Sequence, residues 1–246
     1  MRSIVMTAGC SGCGTAAVTA AVARQLALQG KKVLLVEATA GLRRMNRLLE
    51  IREEGLFDFS DLLEGRCALE NALLPTRIAG LTLLQGPSAI DWVPEAADVQ
   101  LLREELSGTE QYDALLWYCP PGAGPLQKGL LPAAETLVLL TEVTPQSIEA
   151  AAKTADWWAG QGARNLRTVF NRVGRRLPRD LGYPHLDAVL DAIGARLLGM
   201  IPKGPTCRTA PPPVILPPAC AEKAARCWPF TGRKIHLDLN IAKGGT

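Results

Sequence analysis

Cys10 and Cys13 stand in a glycine-rich octet, Gly9-Cys10-Ser11-Gly12-Cys13-Gly14-Thr15-Ala16, that offers two kinds of chemistry. Glycines let backbone N–H groups turn toward an anion, and a helix starting at such a loop adds the positive end of its dipole. The C-x-x-C spacing suits two thiolates on one metal ion, and a helix N-terminus favours the thiolate form. The plain alternative is a tight turn packed against a sheet, its small polarizable residues filling space.

The elements around the octet suit the first kind of chemistry. Ser3–Thr7 is a short apolar run, Ala16–Gln29 an Ala-rich helix ended by Gly30, and Lys32–Glu37 holds a continuous apolar run, Val33-Leu34-Leu35-Val36. Strand, glycine loop, helix and strand make a βαβ unit, and the unbroken apolar runs suit strands buried on both faces of a parallel sheet. Further strands are expected at Leu81–Gln85, Ala114–Tyr118, Thr136–Thr141, Arg167–Asn171 and Leu198–Ile201. Helices are expected at Asp98–Leu106, Ser147–Gln161 and His185–Leu197. The alternation predicts an α/β, doubly wound, mostly parallel sheet with helices on both faces. Pro202–Pro218 holds seven prolines in seventeen residues, which excludes a helix there. Ala219–Trp228 is a possible short helix, and 242–246 reads as disordered.

Composition sets broad limits. The 246 residues are 48% apolar and 21% charged, which suits a packed domain and argues against global disorder. A net charge of +3, evenly spread, gives no footprint for nucleic acid. No uncharged apolar run reaches the roughly 18 residues of a membrane span, and Met1–Gly9 has no signal-peptide pattern. A cytoplasmic location is the expectation. Seven cysteines, an odd number, argue against a disulfide framework in a reducing compartment, and Cys67 reads as core. Cys207, Cys220 and Cys227 are scattered in the tail. His185 and His236 read as surface or capping groups, and Trp157-Trp158 put at least one indole in the core. Arg172, Arg175, Arg176 and Arg179 are expected on the surface.

The octet resembles the deviant Walker A loop, K-G-G-V-G-K-T-T, of the MinD/ParA family. The likeness runs on through Leu26-Ala27-Leu28-Gln29-Gly30-Lys31-Lys32-Val33-Leu34-Leu35-Val36. Gly41-Leu42-Arg43-Arg44-Met45-Asn46 is similar to G-L-R-N-L-D, and Asp61-Leu62-Leu63-Glu64-Gly65 to D-V-L-E-G. Tyr112-Asp113 followed by Pro120-Pro121-Gly122, Phe170-Asn171-Arg172, and Leu198-Gly199-Met200-Ile201-Pro202 continue it in order. The resemblance covers 1–204, nearer the MinD branch than others. It implies a P-loop NTPase domain there, followed over 205–246 by a proline-rich tail, either an extended strap or partly disordered.

The departures fall on the family's catalytic positions. Cys10 stands for the signature lysine, Thr15 for the phosphate-binding lysine, and Ala16 for the Mg²⁺-holding hydroxyl residue. Glu37 replaces the first Asp after the second strand, Thr39 the water-positioning Asp, and Tyr118 the Walker B Asp. Phosphoryl transfer depends on positioning and on neutralising charge, so the resemblance implies a pseudo-ATPase with no catalytic residues. Gly9, Cys10, Ser11, Gly12, Cys13, Gly14, Thr15 and Ala16 remain as a phosphate nest, with Asn171 and Pro202 at the family's base-binding positions. ATP or ADP is then held weakly or not at all. The implied role is a protein-interaction or regulatory module in cell division or spatial positioning, as a homodimer or with a protein partner. Arg43, Arg44 and Arg47 read as a solvated face in a neighbourhood where the family meets partners.

Two other readings stay open. One is a divergent, active ATPase of the same family. The other is a thiol or metal protein. In the resembling fold the strand before Cys119 ends beside the glycine loop, so Cys10, Cys13 and Cys119 are candidate metal ligands. Zn²⁺ or an Fe–S cluster wants four, which a homodimer would supply. The MinD branch ends in a basic amphipathic helix that docks on membrane. Residues 219–246 show no apolar stripe opposite Lys/Arg, so membrane association is not expected.

Overall fold

The computed structural model describes residues 1–41, 43–174 and 181–203. The tail readings beyond Lys203, with Cys207, Cys220, Cys227 and His236, lie outside the described residues, as do Arg175, Arg176 and Arg179.

β1 (Arg2–Ala8) leads through the glycine loop into α1 (Thr15–Leu28) and β2 (Val33–Glu37). α2 (Arg44–Leu48), α3 (Phe59–Leu63) and α4 (Leu69–Ala72) are short. β3 (Leu73–Pro75), β4 (Leu81–Leu84), α5 (Ala96–Gly108), β5 (Ala114–Tyr118) and α6 (Pro125–Gly129) follow. A 3-10 turn, Leu131–Ala133, precedes β6 (Thr136–Glu142). The chain continues through α7 (Pro145–Gly160), β7 (Leu166–Val173), α8 (Leu186–Ile193) and β8 (Arg196–Pro202).

The strands form one eight-stranded sheet in the order β3-β4-β2-β5-β1-β6-β7-β8. Every pairing is parallel except that of β3 with β4. The expected α/β architecture is therefore present, with one antiparallel edge strand that the sequence reading missed. β3 has three residues, too few for a periodicity to register. The helix expected to reach Leu197 stops at Ile193. Gly194 takes φ 73° there as a left-handed C-cap, and Arg196 already begins β8.

Period-two alternation splits the core into two layers. Along β5, Ala114, Leu116 and Tyr118 face the α1 side with Met6, Val18 and Leu35. Leu115 and Trp117, with Cys119 just past the strand, face the other side with Val99, Leu102 and Trp158. A third cluster joins α7 and α8 through Ile148, Phe170, Val189 and Ile193. β2 and β5 are buried along their whole length, which is why Val33–Val36 and Ala114–Trp117 are apolar throughout. Of the tryptophan pair, Trp158 is fully buried. The His185 ring caps α8, its Nδ1 accepting from the Ala188 N–H at 3.2 Å.

β1 is the strand about which the chain order turns. From it the chain crosses to β2 on one side, and from β5 it returns past β1 to β6 on the other. In open α/β sheets, the crevice beyond the carboxyl ends of strands at such a point receives ligands.

Candidate functional site

A cleft of about 800 Å³ lies at that position, open to solvent. On one side stand Cys10, Ser11, Gly12 and Gly14 of the loop, with Thr15, Ala16 and Ala17 of α1. Thr39 and Tyr118, past or at the ends of β2 and β5, lie across from them with Pro120 and Pro121. Arg44, Arg47 and Leu48 of α2 complete the wall.

The loop is held from behind. The Asn171 side chain donates from Nδ2 to the Cys13 carbonyl at 2.8 Å, and Arg172 donates from Nη1 to the Gly12 carbonyl at 2.7 Å. Arg172 is also paired with Glu142 and sits at φ 54°, an uncommon conformation for a side-chain-bearing residue. In a trans peptide the N–H points opposite to the C=O. Drawing the Gly12 and Cys13 carbonyls toward β7 therefore turns the Cys13 and Gly14 N–H groups away from it. Gly14 caps α1 at φ 85°, and a Cβ there would stand 2.6 Å from Asn171 Nδ2. No side chain caps α1 and no acidic residue lies in its first turn, so its opening N–H groups are free of side-chain partners. Gly9 serves packing: a Cβ there would lie 2.5 Å from the backbone of Ala150 and Ala151 in α7.

Six of the ten residues expected at a nucleotide site thus line the cleft: Cys10, Ser11, Gly12, Gly14, Thr15 and Ala16. Gly9, Cys13, Asn171 and Pro202 are not part of its wall. Cys13 is buried, Asn171 binds the loop carbonyl, and Pro202 ends β8.

The expected three-thiol cluster is not assembled within one chain. Cys10 and Cys13 are close, Sγ to Sγ 3.2 Å, with Ser147 Oγ 3.6 Å from Cys10. Cys119 is fully buried in the layer on the opposite face of the sheet and donates to the Pro120 carbonyl. Strand parity decides this: Tyr118 faces the cleft, so its neighbour faces away. No group of three or more His, Cys, Asp or Glu side chains able to hold a metal occurs among the described residues. Burial pushes the Cys119 thiol up to about 12. It also raises Cys13, to about 11, with the adjoining Cys10 adding to the effect. Burial, Cys10 and the Glu142 charge all favour the protonated thiol at Cys13, the opposite of the activation that the helix terminus suggested. Cys67 is half-buried against the α5-side layer.

Glu37 has a structural post. It is fully buried, and its carboxylate accepts from the backbone N–H of Arg44 at 2.8 Å and of Met45 at 3.3 Å. A side chain from the end of β2 thus caps α2. Burial raises its pKa to about 7, against the lowering effect of these N–H donors, the Gly86 N–H and the Arg44 charge. Tyr118 is nearly buried, and its phenol, beside Arg44 and Thr39, is raised by burial.

The arginines contributed more than the sequence suggested. Arg43 is turned aside, at φ 37°, paired with Glu54 and bonded to Ser88. Arg44 and Arg47 are exposed and line the cleft. Their i, i+3 spacing on a helix was the available signal, since it places both on one face. No Lys, Asp or Glu lines the cleft among the described residues. A magnesium ion wants oxygen ligands with one or two carboxylates. Glu37 is engaged by backbone N–H groups and Tyr118 offers only a phenol, so the residues present do not fit that ion.

No protein-family model matches the chain. A protein of Oltmannsiellopsis viridis, provisionally named septum site-determining protein MinD, is 31% identical over 209 residues, covering 82% of this chain. The chain spans just under two thirds of that relative's length, 64%. The septum site-determining protein MinD of Bacillus subtilis is 26% identical over 206 residues, covering 81% of this chain and 75% of that protein. Among solved structures, a chain of the MinC:MinD cell division protein complex of Aquifex aeolicus superposes with a TM-score of 0.73 at 27% identity. That match covers 84% of this chain and 83% of the other. With the mostly parallel sheet and the glycine loop opening its cleft, these likenesses make the chain a relative of the MinD/ParA family of P-loop ATPases.

Proposed function

We propose that this protein is a MinD-like module that does not hydrolyse ATP and acts through contacts with other proteins, in cell division or a related positioning process. The observation that carries the reading is the cleft wall. The residues that would have to hold magnesium and neutralise a transferring phosphoryl group are Thr15, Ala16, Thr39 and Tyr118. None can do either. Glu37, the carboxylate at the end of β2, is turned to capping α2. A scaffold kept in shape without that chemistry retains its surfaces. The Aquifex aeolicus relative was solved in a MinC:MinD complex, which supports a protein partner or a second copy as what those surfaces meet.

Phosphate release from ATP tests the first half. Purified protein is expected to show no Mg²⁺-dependent turnover above buffer. Turnover that co-elutes with the protein and disappears in Ala16→Phe, which obstructs the cleft while the circular dichroism is unchanged, would overturn the reading.

A further inference from the structure

Two thiols of the glycine loop stand in contact and take no part in the function proposed above. Cys10 Sγ lies 3.2 Å from Cys13 Sγ, about 1.2 Å more than a disulfide bond of about 2.05 Å. The two differ in access. Cys10 is half-buried and lines the open cleft, where a solute can reach it, whereas Cys13 is buried. They also differ in how they are held. Asn171 binds the Cys13 carbonyl and Arg172 that of Gly12, while the polar neighbour of the Cys10 sulfur, apart from Cys13, is the Ser147 hydroxyl at 3.6 Å. Cys10 is therefore the sulfur free to move and Cys13 the fixed one. Between them Gly12 takes φ 89° with nothing within 4 Å of where a Cβ would stand, so the turn has room to tighten. Cys67 and Cys119 pack in the layer on the opposite face of the sheet, so among the described residues each thiol of the pair has only the other within reach.

We propose that Cys10 and Cys13 are a reversible dithiol–disulfide pair that exchanges with a small-molecule disulfide entering the cleft, Cys10 attacking and Cys13 resolving. The pair goes beyond the function proposed above and does not depend on whether ATP is hydrolysed. The cleft, about 800 Å³ and open to solvent, admits a disulfide R–S–S–R with peptide-sized R groups. In the first step the Cys10 sulfur bonds to one sulfur of R–S–S–R; the external S–S bond breaks, and one R–SH departs with the Cys10 proton. In the second step the Cys13 sulfur bonds to that of Cys10; the mixed disulfide breaks, and a second R–SH leaves with the Cys13 proton. Two protein thiols are oxidised and one external disulfide is reduced, and excess R–SH reverses both steps. Burial and the adjoining Cys10 keep Cys13 protonated. Its reaction therefore waits until Cys10 carries the mixed disulfide in contact with it, where proximity replaces a chance encounter.

The experiment is equilibration of the full chain with glutathione and its disulfide at pH 8, folded and in urea. Acid stops the exchange, remaining thiols are alkylated with N-ethylmaleimide in urea, and the peptides are mapped by mass without reduction. The folded chain is expected to yield a peptide joining Cys10 to Cys13, two hydrogens lighter than its dithiol form and restored by dithiothreitol, while Cys119 carries the maleimide. The equilibrium constant for that disulfide should be at least about tenfold higher folded than in urea, because the fold already holds the sulfurs together. In Cys13→Ser, glutathione should stay attached at Cys10; in Cys10→Ser, Cys13 should remain a free thiol. No Cys10–Cys13 disulfide in the folded native chain, or an equilibrium constant no higher than in urea, would overturn the proposal. So would Cys10 joined instead to Cys207, Cys220, Cys227 or a second copy of the chain. Glutathione on Cys13 in Cys10→Ser would refute the assigned roles. ATP turnover in the same samples would refute the proposed lack of hydrolysis while leaving the thiol pair as argued.

Discussion

Replacing Glu37 by Gln isolates a carboxyl that is fully buried at the end of β2, beside the cleft. In the native protein, burial lifts the carboxyl from its ordinary 4.5 to about 7. The neutral acid is therefore the form the fold prefers, and the native state holds a proton that the unfolded chain has released. Below pH 4.5 both states are protonated and nothing is lost. As pH rises through 4.5 toward 7, the unfolded state ionises first, and stability falls until the native group has also titrated. At about 1.4 kcal/mol per pH unit the full span is roughly 3 kcal/mol, of which about 2.5 kcal/mol develops between pH 5 and 8. Glu37→Gln keeps a carbonyl oxygen to accept from Arg44 and Met45 and removes the titration. Urea denaturation of both proteins at several pH values is the assay. Relative to the native protein, the variant should gain about 2.5 kcal/mol from pH 5 to 8, with the same m-value at each pH. Comparing the two cancels the contributions of other carboxylates. A difference that stays constant across this range would show that Glu37 ionises normally in the fold and that its burial carries no charge penalty.

Two further perturbations test the packing around the loop. Gly9→Ala places a methyl 2.5 Å from the α7 backbone, which cannot yield as a side-chain tip would. A loss of about 3 kcal/mol or more is expected by chemical denaturation. Gly12→Ala, with nothing within 4 Å but φ 89°, should cost only about 1–2 kcal/mol, and equal losses would contradict the packing argument. At pH 8, peptide mass spectrometry after iodoacetamide treatment should find Cys13 and Cys119 modified at least about 100-fold more slowly than in urea, because burial keeps both thiols protonated. A chelator should not change these rates; acceleration by one would point to a metal between subunits.

Long elements were legible in the sequence because their signals are local and repeated. Val33–Val36 is apolar at every position, and only a strand covered on both faces accommodates that. The glycine octet between a strand and a helix announced a phosphate-type loop, and Gly12 and Gly14 do take the left-handed conformations it needs. Short elements escaped: β3 and the four- and five-residue helices are made by the strands and loops they rest on, not by their own propensity.

The sequence by itself determined the α/β alternation, the absence of lysine and carboxylate from the glycine octet, and the presence of a thiol pair in the loop. Those are matters of residue type and order, which do not change on folding. Only the tertiary structure decided which side chains share a space. It sent Cys119 through the sheet to the far layer, because neighbouring residues at a strand end face opposite ways. It engaged Asn171 behind the loop, where a carbonyl required a donor. And it brought Arg44 and Arg47 to the rim of the cleft, because a buried carboxylate some seven residues earlier caps the helix that carries them.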